Sequence, residues 1–137
     1  GDALAVFAGI STTIIVGAMI KILLIEDDRW LADSYMDVLD VYDIDTAVDG
    51  HMAMDLIDVN DYELIIADVM LERGLVFDLL HELQSYDDTS QIPVILCTSL
   101  AQRITLKDVK QYGVIAVLDK ATLTPKILRE AVESVGE

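Results

Sequence analysis

Cysteine and basic side chains are the scarcest chemistry in this sequence. One cysteine, Cys97, in 137 residues excludes an internal disulfide and leaves no paired spacing that suggests zinc. It ends the apolar run Val94-Ile95-Leu96-Cys97, where it reads as a buried small hydrophobe in a reduced, cytoplasmic protein. Lys and Arg number 9 against 25 Asp and Glu, a formal net charge of −16. That deficit argues against a stand-alone DNA or RNA binder, because phosphate contacts need a basic face. It also disfavours docking on anionic membranes. It favours partners with basic patches, or a site that concentrates a metal cation. Repeats and low-complexity stretches are absent, and a hydrophobic content of 53% excludes disorder. The length suits one domain with a single core that needs no covalent staples.

Charge is missing altogether from Ala3 to Ile20, 18 positions at the lower edge of a membrane-spanning length. The flank is wrong for a secretory signal, since Asp2 stands where a basic region is needed. Residues 1–18 are therefore read as an apolar leader or fusion remnant, and residues 19–137 as the functional domain. An extra helix or strand packed on the domain, and a short anchor, remain alternatives. An apolar segment of this kind has to be covered, so it is expected to promote self-association.

Beyond Met19, apolar runs and helical periods alternate. Ile22–Ile25, Leu64–Ala67, Val94–Cys97 and Val114–Leu118 are continuous, as in parallel strands buried on both faces. Tyr42–Val48 alternates instead, which suggests a wetter strand at a sheet edge. Between the runs, Leu31, Tyr35, Val38 and Leu39 fall on one helical face, as do Ala53, Leu56 and Ile57; Val76, Leu79, Leu80 and Leu83; and Ile127, Leu128, Ala131, Val132 and Val135. Ala101–Tyr112 is only weakly periodic. Thr124-Pro125 predicts a capped helix start, and Gly113 a helix stop. The pattern is βαβαβαβαβα, an α/β fold with helices on both faces of a five-stranded parallel sheet. Chemistry in such a sheet is expected at the carboxyl ends of its strands.

Those ends carry Glu26-Asp27-Asp28, Asp68, Thr98-Ser99 and Asp119-Lys120. Each alone reads as a helix cap, a first-turn acid or a solvated surface group; Asp28 in particular reads as a first-turn acid and Thr98 could be a cap. Together, at four strand ends of one pattern, they read as a site. Clustered carboxylates repel and need compensation, which a hard cation such as Mg²⁺ supplies through oxygen ligands. A hydroxyl and an ammonium opposite suit an incoming phosphoryl group. The chemistry implied is attack by a carboxylate on phosphorus, giving an acyl phosphate. His51 and His81 have no partners at ligand spacing, and Trp30 reads as a partly exposed packing residue.

From Met19 to about Val135 the sequence resembles the receiver domains of two-component response regulators. The resemblance rests on Lys21-Ile-Leu-Leu-Ile-Glu-Asp-Asp28, Val48-Asp-Gly50, Leu64-Ile-Ile-Ala-Asp-Val-Met-Leu71, Val94-Ile-Leu-Cys-Thr-Ser99 and Val117-Leu-Asp-Lys120. It implies a doubly wound, flavodoxin-like (βα)5 fold with strand order 2-1-3-4-5. Asp68 matches the phospho-accepting aspartate. Glu26 and Asp27 match the acidic pair that handles Mg²⁺, with Asp68 and the backbone carbonyl of Met70 completing the protein ligands. Thr98 matches the switch hydroxyl and Lys120 the lysine that pairs with the phosphoryl group. A sensor histidine kinase or phosphotransfer protein would be the donor, and a downstream protein partner would read the result. Such a domain catalyses only its own phosphorylation and dephosphorylation, so it is not an enzyme with a separate substrate.

Three positions depart from the family pattern. Val117 stands where many members carry a rotating aromatic, Ala121 where proline is usual, and Glu72 where proline is common. No catalytic group is lost by these changes, but Val117 and Ala121 keep a second reading open: a receiver-like interaction module that does not use phosphate. A flavin carrier fits poorly, because three acids follow the first strand where a phosphate loop is needed. An aspartate-nucleophile phosphatase wants an acid two residues after Asp68, where Met70 stands. The 17 residues after Lys120 suffice for one helix, so the domain is either stand-alone or a fragment of a longer regulator.

Overall fold

The computed structural model describes residues 20–68, 73–99 and 104–136. Expectations for the 1–18 segment and for Met70 lie outside these residues. Five strands form one parallel sheet: β1 (Lys21–Ile25), β2 (Asp43–Ala47), β3 (Leu64–Asp68), β4 (Val94–Thr98) and β5 (Val114–Asp119). Their order is β2-β1-β3-β4-β5, the flavodoxin-like order that the resemblance implies. The helices are α1 (Arg29–Val38), α2 (Gly50–Val59), α3 (Arg73–Gln84), α4 (Leu106–Val109) and α5 (Pro125–Glu133).

Side chains alternate across each strand, and this parity builds two cores. Leu23, Ile25, Ile65, Ala67, Leu96 and Val114 pack with Ala53, Ile57, Leu79, Leu80, Leu83 and Val109, so α2, α3 and α4 cover one face. Ile22, Leu24, Leu64, Ile66, Ile95 and Cys97 pack with Ala32, Tyr35, Leu39, Leu128 and Val132, so α1 and α5 cover the other. Strands β1, β3 and β4 are buried almost throughout, which is why their sequences run apolar without alternation.

Caps set where the chain turns from strand to helix. The Asp28 carboxylate accepts from the Trp30 and Leu31 amides at 2.9 and 3.1 Å, satisfying donors that the first helical turn leaves without partners. Asp28 is thus the N-cap of α1 rather than a first-turn acid. Asp49 accepts from the Met52 amide at 2.9 Å, and Thr124 from the Ile127 amide at 3.1 Å with Pro125 following it.

Several expectations shift. The alternating strand does lie at an edge, but spans Asp43–Ala47, with Val48 exposed beyond it. Val114–Leu118 is not buried on both faces: β5 is the opposite edge, and only Val114 in it is fully buried. Val94 pairs with Val114 and Ile95 with Ala116, so Ile115 is the extra residue of a bulge and faces outward. Of the weak helix over Ala101–Tyr112, the described part is the single turn α4 and a 3₁₀ turn over Lys110–Tyr112. Gly113 ends it with φ at +85°, a left-handed conformation that glycine adopts without a Cβ clash. Trp30 is 79% exposed, more open than the partly exposed packing residue expected.

Candidate functional site

The polar residues at the strand ends are buried to very different degrees. Glu26, Asp68 and Thr98 are all at most 3% exposed, whereas Asp27 is exposed. Burying carboxylates costs free energy unless they are paired, so the partners of Glu26 and Asp68 define what this rim can do.

Asp68 is the last residue of β3 and sits opposite Cys97 across the ladder. The Lys120 ammonium lies 2.7 Å from its Oδ1, and the Tyr35 hydroxyl donates to its Oδ2. Burial alone would lower the affinity of Lys120 for its proton. The hydrogen bond to Asp68 and the charges of Asp68, Glu26 and Asp27 outweigh it, so the ammonium is held above its ordinary pKa. The Tyr35 hydroxyl is pushed up by burial first and by its acidic surroundings next, which keeps it a donor. The Cys97 thiol, buried beside the same groups, is pushed up to about 12 and stays neutral.

Glu26 follows β1 and continues its ladder, its amide donating to the Ala47 carbonyl at 2.9 Å. Its Oε2 accepts from the Asp28 amide at 2.6 Å. Its Oε1 is buried without a hydrogen-bond donor. The carboxyl is pushed up to about 8, chiefly by burial, against the Asp28 amide and with Asp68 and Asp27 adding to the rise. Two carboxylates can face each other only with a proton or a cation between them. The orphaned oxygen and the all-oxygen donor set therefore fit a hard cation in kind. Among the described residues, no three acidic, histidine or cysteine side chains already form a closed cage.

Lys120 is presented by the turn that follows β5. Its amide donates to the Thr98 carbonyl at 3.1 Å, which ties it to the end of β4. The Asp119 carboxylate accepts from the Ala121 amide at 2.9 Å. A proline at 121 could not make that bond, so the departure at Ala121 is matched by an Asx-type turn that supports the lysine another way. Val117 packs against the core on the α2, α3 and α4 face. His81 lies on α3 with its Nε2 3.4 Å from the Tyr112 hydroxyl, away from the strand ends.

The fold thus gathers Glu26, Asp68, Thr98 and Lys120, with Asp27 at the margin; Met70 falls outside the described residues. The residue that sequence reasoning assigned only to the core is Tyr35. Its signal was available: by alternation, Asp68 shares the parity of Leu64 and Ile66, whose face α1 covers, and Tyr35 carries the one hydroxyl on that apolar helical stripe.

A doubly wound sheet with a buried, lysine-paired aspartate at its central strand end is the architecture of a receiver module. The model of the response regulator receiver domain family matches residues 22–133, and the chain belongs to that family, in two-component signalling. It is 38% identical over 82 residues to the transcriptional regulatory protein CiaR of Streptococcus pneumoniae, a stretch covering 59% of this chain and 36% of that protein. The matched stretch is thus about a third of such relatives. Its fold is similar to that of chemotaxis response regulator CheY4 of Vibrio cholerae, with a TM-score of 0.75 at 21% identity over 85% of this chain and 98% of that one. It is also similar to response regulator TrrA of Thermotoga maritima, solved in complex with Mg²⁺-BeF, with a TM-score of 0.71 at 21% identity over 85% and 99% of the two chains. Among the described residues, no helix is long and apolar enough to cross a membrane.

Proposed function

We propose that this receiver domain accepts a phosphoryl group on Asp68 from a sensor histidine kinase or phosphotransfer protein, and that the resulting change selects a downstream protein partner. The observation that carries the reading is the buried Asp68 carboxylate, 2.7 Å from the Lys120 ammonium and beside a buried Glu26 oxygen that lacks a donor.

Glu26, Asp27, Asp68 and the Met70 carbonyl would hold Mg²⁺, as the Mg²⁺-BeF complex of TrrA makes reasonable for a related fold. The ion would supply charge neutralisation for the phosphoryl oxygens. The chain's own residues do the rest. An Asp68 oxygen attacks phosphorus, a P–N or P–O bond to the donor breaks, and the electron pair leaves with the donor. Lys120 stays charged and stabilises the negative charge that builds on the phosphoryl oxygens. Thr98, at the end of β4, would offer its hydroxyl to the same group. Hydrolysis returns the electron pair to Asp68. The domain turns over no separate substrate and in that sense is not an enzyme. We place it in the cytoplasm, and its net charge of −16 argues against nucleic-acid contact by this domain.

Intact mass after incubation with acetyl phosphate, with Mg²⁺ or chelator, tests the reading. One phosphoryl group is expected, only with Mg²⁺, and none on Asp68→Asn. A folded protein that gains nothing in any condition overturns it in favour of an interaction module independent of phosphate.

A further inference from the structure

A carboxylate that must attack phosphorus is held here at both oxygens, by an ion pair at one and a hydrogen bond at the other. Lys120 approaches Oδ1 of Asp68 and the Tyr35 hydroxyl approaches Oδ2. Lys120 lies on the turn after β5 and is 16% exposed. Tyr35 comes from inside the protein: it projects from α1, is 7% exposed, and belongs to the core formed with Leu39, Cys97 and Leu128. Its ring also lines a groove of about 200 Å³ between α1 and α5, with Leu31, Lys120, Leu123 and Leu128. A hydroxyl set so deeply in a packed helix face cannot swing away without cost.

We propose that Tyr35 is a positioning residue that acts as a brake on the phosphorylated state. The inference rests on the receiver reading above. Its chemistry follows from where the charge resides. In the free carboxylate, the negative charge is shared by Oδ1 and Oδ2, and the phenol donates to a charged acceptor. When an Asp68 oxygen forms its bond to phosphorus, the carboxylate loses its negative charge, and an equal charge leaves with the donor's electron pair. Whichever role Oδ2 takes, carbonyl or bridging oxygen, it becomes a weaker, neutral acceptor. Hydrogen bonds to charged acceptors are about twice as strong as those to neutral ones. Tyr35 therefore stabilises the carboxylate more than the acyl phosphate. In hydrolysis, water attacks phosphorus, the bond between phosphorus and the Asp68 oxygen breaks, and the electron pair returns to the carboxylate. Water's protons pass to solvent and phosphate departs. The phenol assists this step, because the carboxylate charge is returning as the bond breaks.

The site that results is set toward a short-lived signal. Val117 leaves no ring on β5 to respond to the phosphoryl group, and the aromatic side chain in contact with the acceptor is on α1 instead. A change at Oδ2 is therefore felt first at the groove between α1 and α5.

Tyr35→Phe keeps the ring and removes only the donor. With acetyl phosphate and Mg²⁺, phosphoryl gain should quicken and loss should slow, their ratio rising about tenfold in total. A merely structural role would lower the melting temperature without changing that ratio. Equal rates of gain and loss in the two proteins overturn the proposal. Melting of Tyr35→Phe, Asp68→Ala and the double variant, with no phosphodonor, tests the contact separately. The hydroxyl should matter in the wild-type background and not in Asp68→Ala; equal shifts in both backgrounds also overturn the proposal. If the wild-type chain takes no phosphoryl group, the receiver reading falls and the brake with it, while the melting cycle still decides whether Tyr35 and Asp68 are coupled.

Discussion

Each face of the sheet carries one tyrosine whose hydroxyl reaches an aspartate, and the two pairs sit in unlike surroundings. On the face covered by α2, α3 and α4, Tyr62 donates to Asp45 of the edge strand β2 at 2.7 Å. That carboxylate remains partly exposed and has the Lys21 ammonium 3.8 Å away. On the face covered by α1 and α5, Tyr35 donates to Asp68, whose side chain is fully buried. The first pair fastens an edge, where the partly exposed Asp45 carboxylate can exchange its partner for water. The second belongs to the proposed reaction centre, where water cannot replace a lost donor. Identical chemistry is therefore structural at the sheet edge and consequential at the strand ends, because burial decides what a missing partner costs.

The largest effect is expected from the apolar side. Leu80→Ala opens the core on the Tyr62 face, where Leu80 is 1% exposed, and should cost about 2–5 kcal/mol of stability. Chemical denaturation measures that loss, while the lifetime of the phosphorylated protein should stay unchanged. A shortened lifetime would mean that the two faces are not separate.

Mg²⁺ should stabilise the fold by mass action, by about 2.7 kcal/mol at a hundred times its dissociation constant, and so raise the melting temperature, more so at high pH. The sign follows from Glu26. Its carboxyl is pushed from 4.5 up to about 8 in the folded protein, so the fold binds that proton more tightly than the unfolded chain does. In chelator, the stability from this group is full below about pH 4.5 and is lost as pH rises through about 8. Mg²⁺ must displace the proton, so the gain in melting temperature should be larger at the alkaline end of that window. A gain that does not vary with pH would detach Glu26 from the ion.

Tyr62→Phe should lower stability by about 0.5–1.5 kcal/mol, the ordinary worth of one hydrogen bond, with no change in phosphoryl gain or loss. Equal kinetic effects of Tyr62→Phe and Tyr35→Phe would dissolve the contrast between the pairs. The smallest effect belongs to Trp30, at 79% exposure: Trp30→Ser should shift stability by no more than about 0.5 kcal/mol in urea melts.

Much of this architecture is legible in the residues. The continuous runs in β1, β3 and β4 announce strands buried on both faces, and Thr124-Pro125 and Gly113 mark helix ends by local chemistry that tertiary contacts do not override. The run in β5 misleads because hydrophobicity reports burial on average. It carries no trace of the bulge that turns Ile115 outward or of the missing neighbour beyond the sheet edge. The acids, the hydroxyl and the lysine at the strand ends are legible as a set, since only strand parity and parallel order are needed to gather them. Tyr35 is harder to see. A tyrosine on an apolar helical stripe is usually core, and only the parity of Asp68 within β3 says that its hydroxyl has a carboxylate to meet.

The central claim is that Asp68 is the phosphoryl acceptor. Borohydride cleaves an acyl phosphate and leaves homoserine in place of the aspartate, so reduction after treatment with acetyl phosphate and Mg²⁺, followed by peptide mass mapping, locates the group directly. Homoserine is expected at position 68 alone, and none when Mg²⁺ is chelated. Homoserine at Glu26's neighbour Asp27 or at any other aspartate, or none at all from a folded protein, would contradict it.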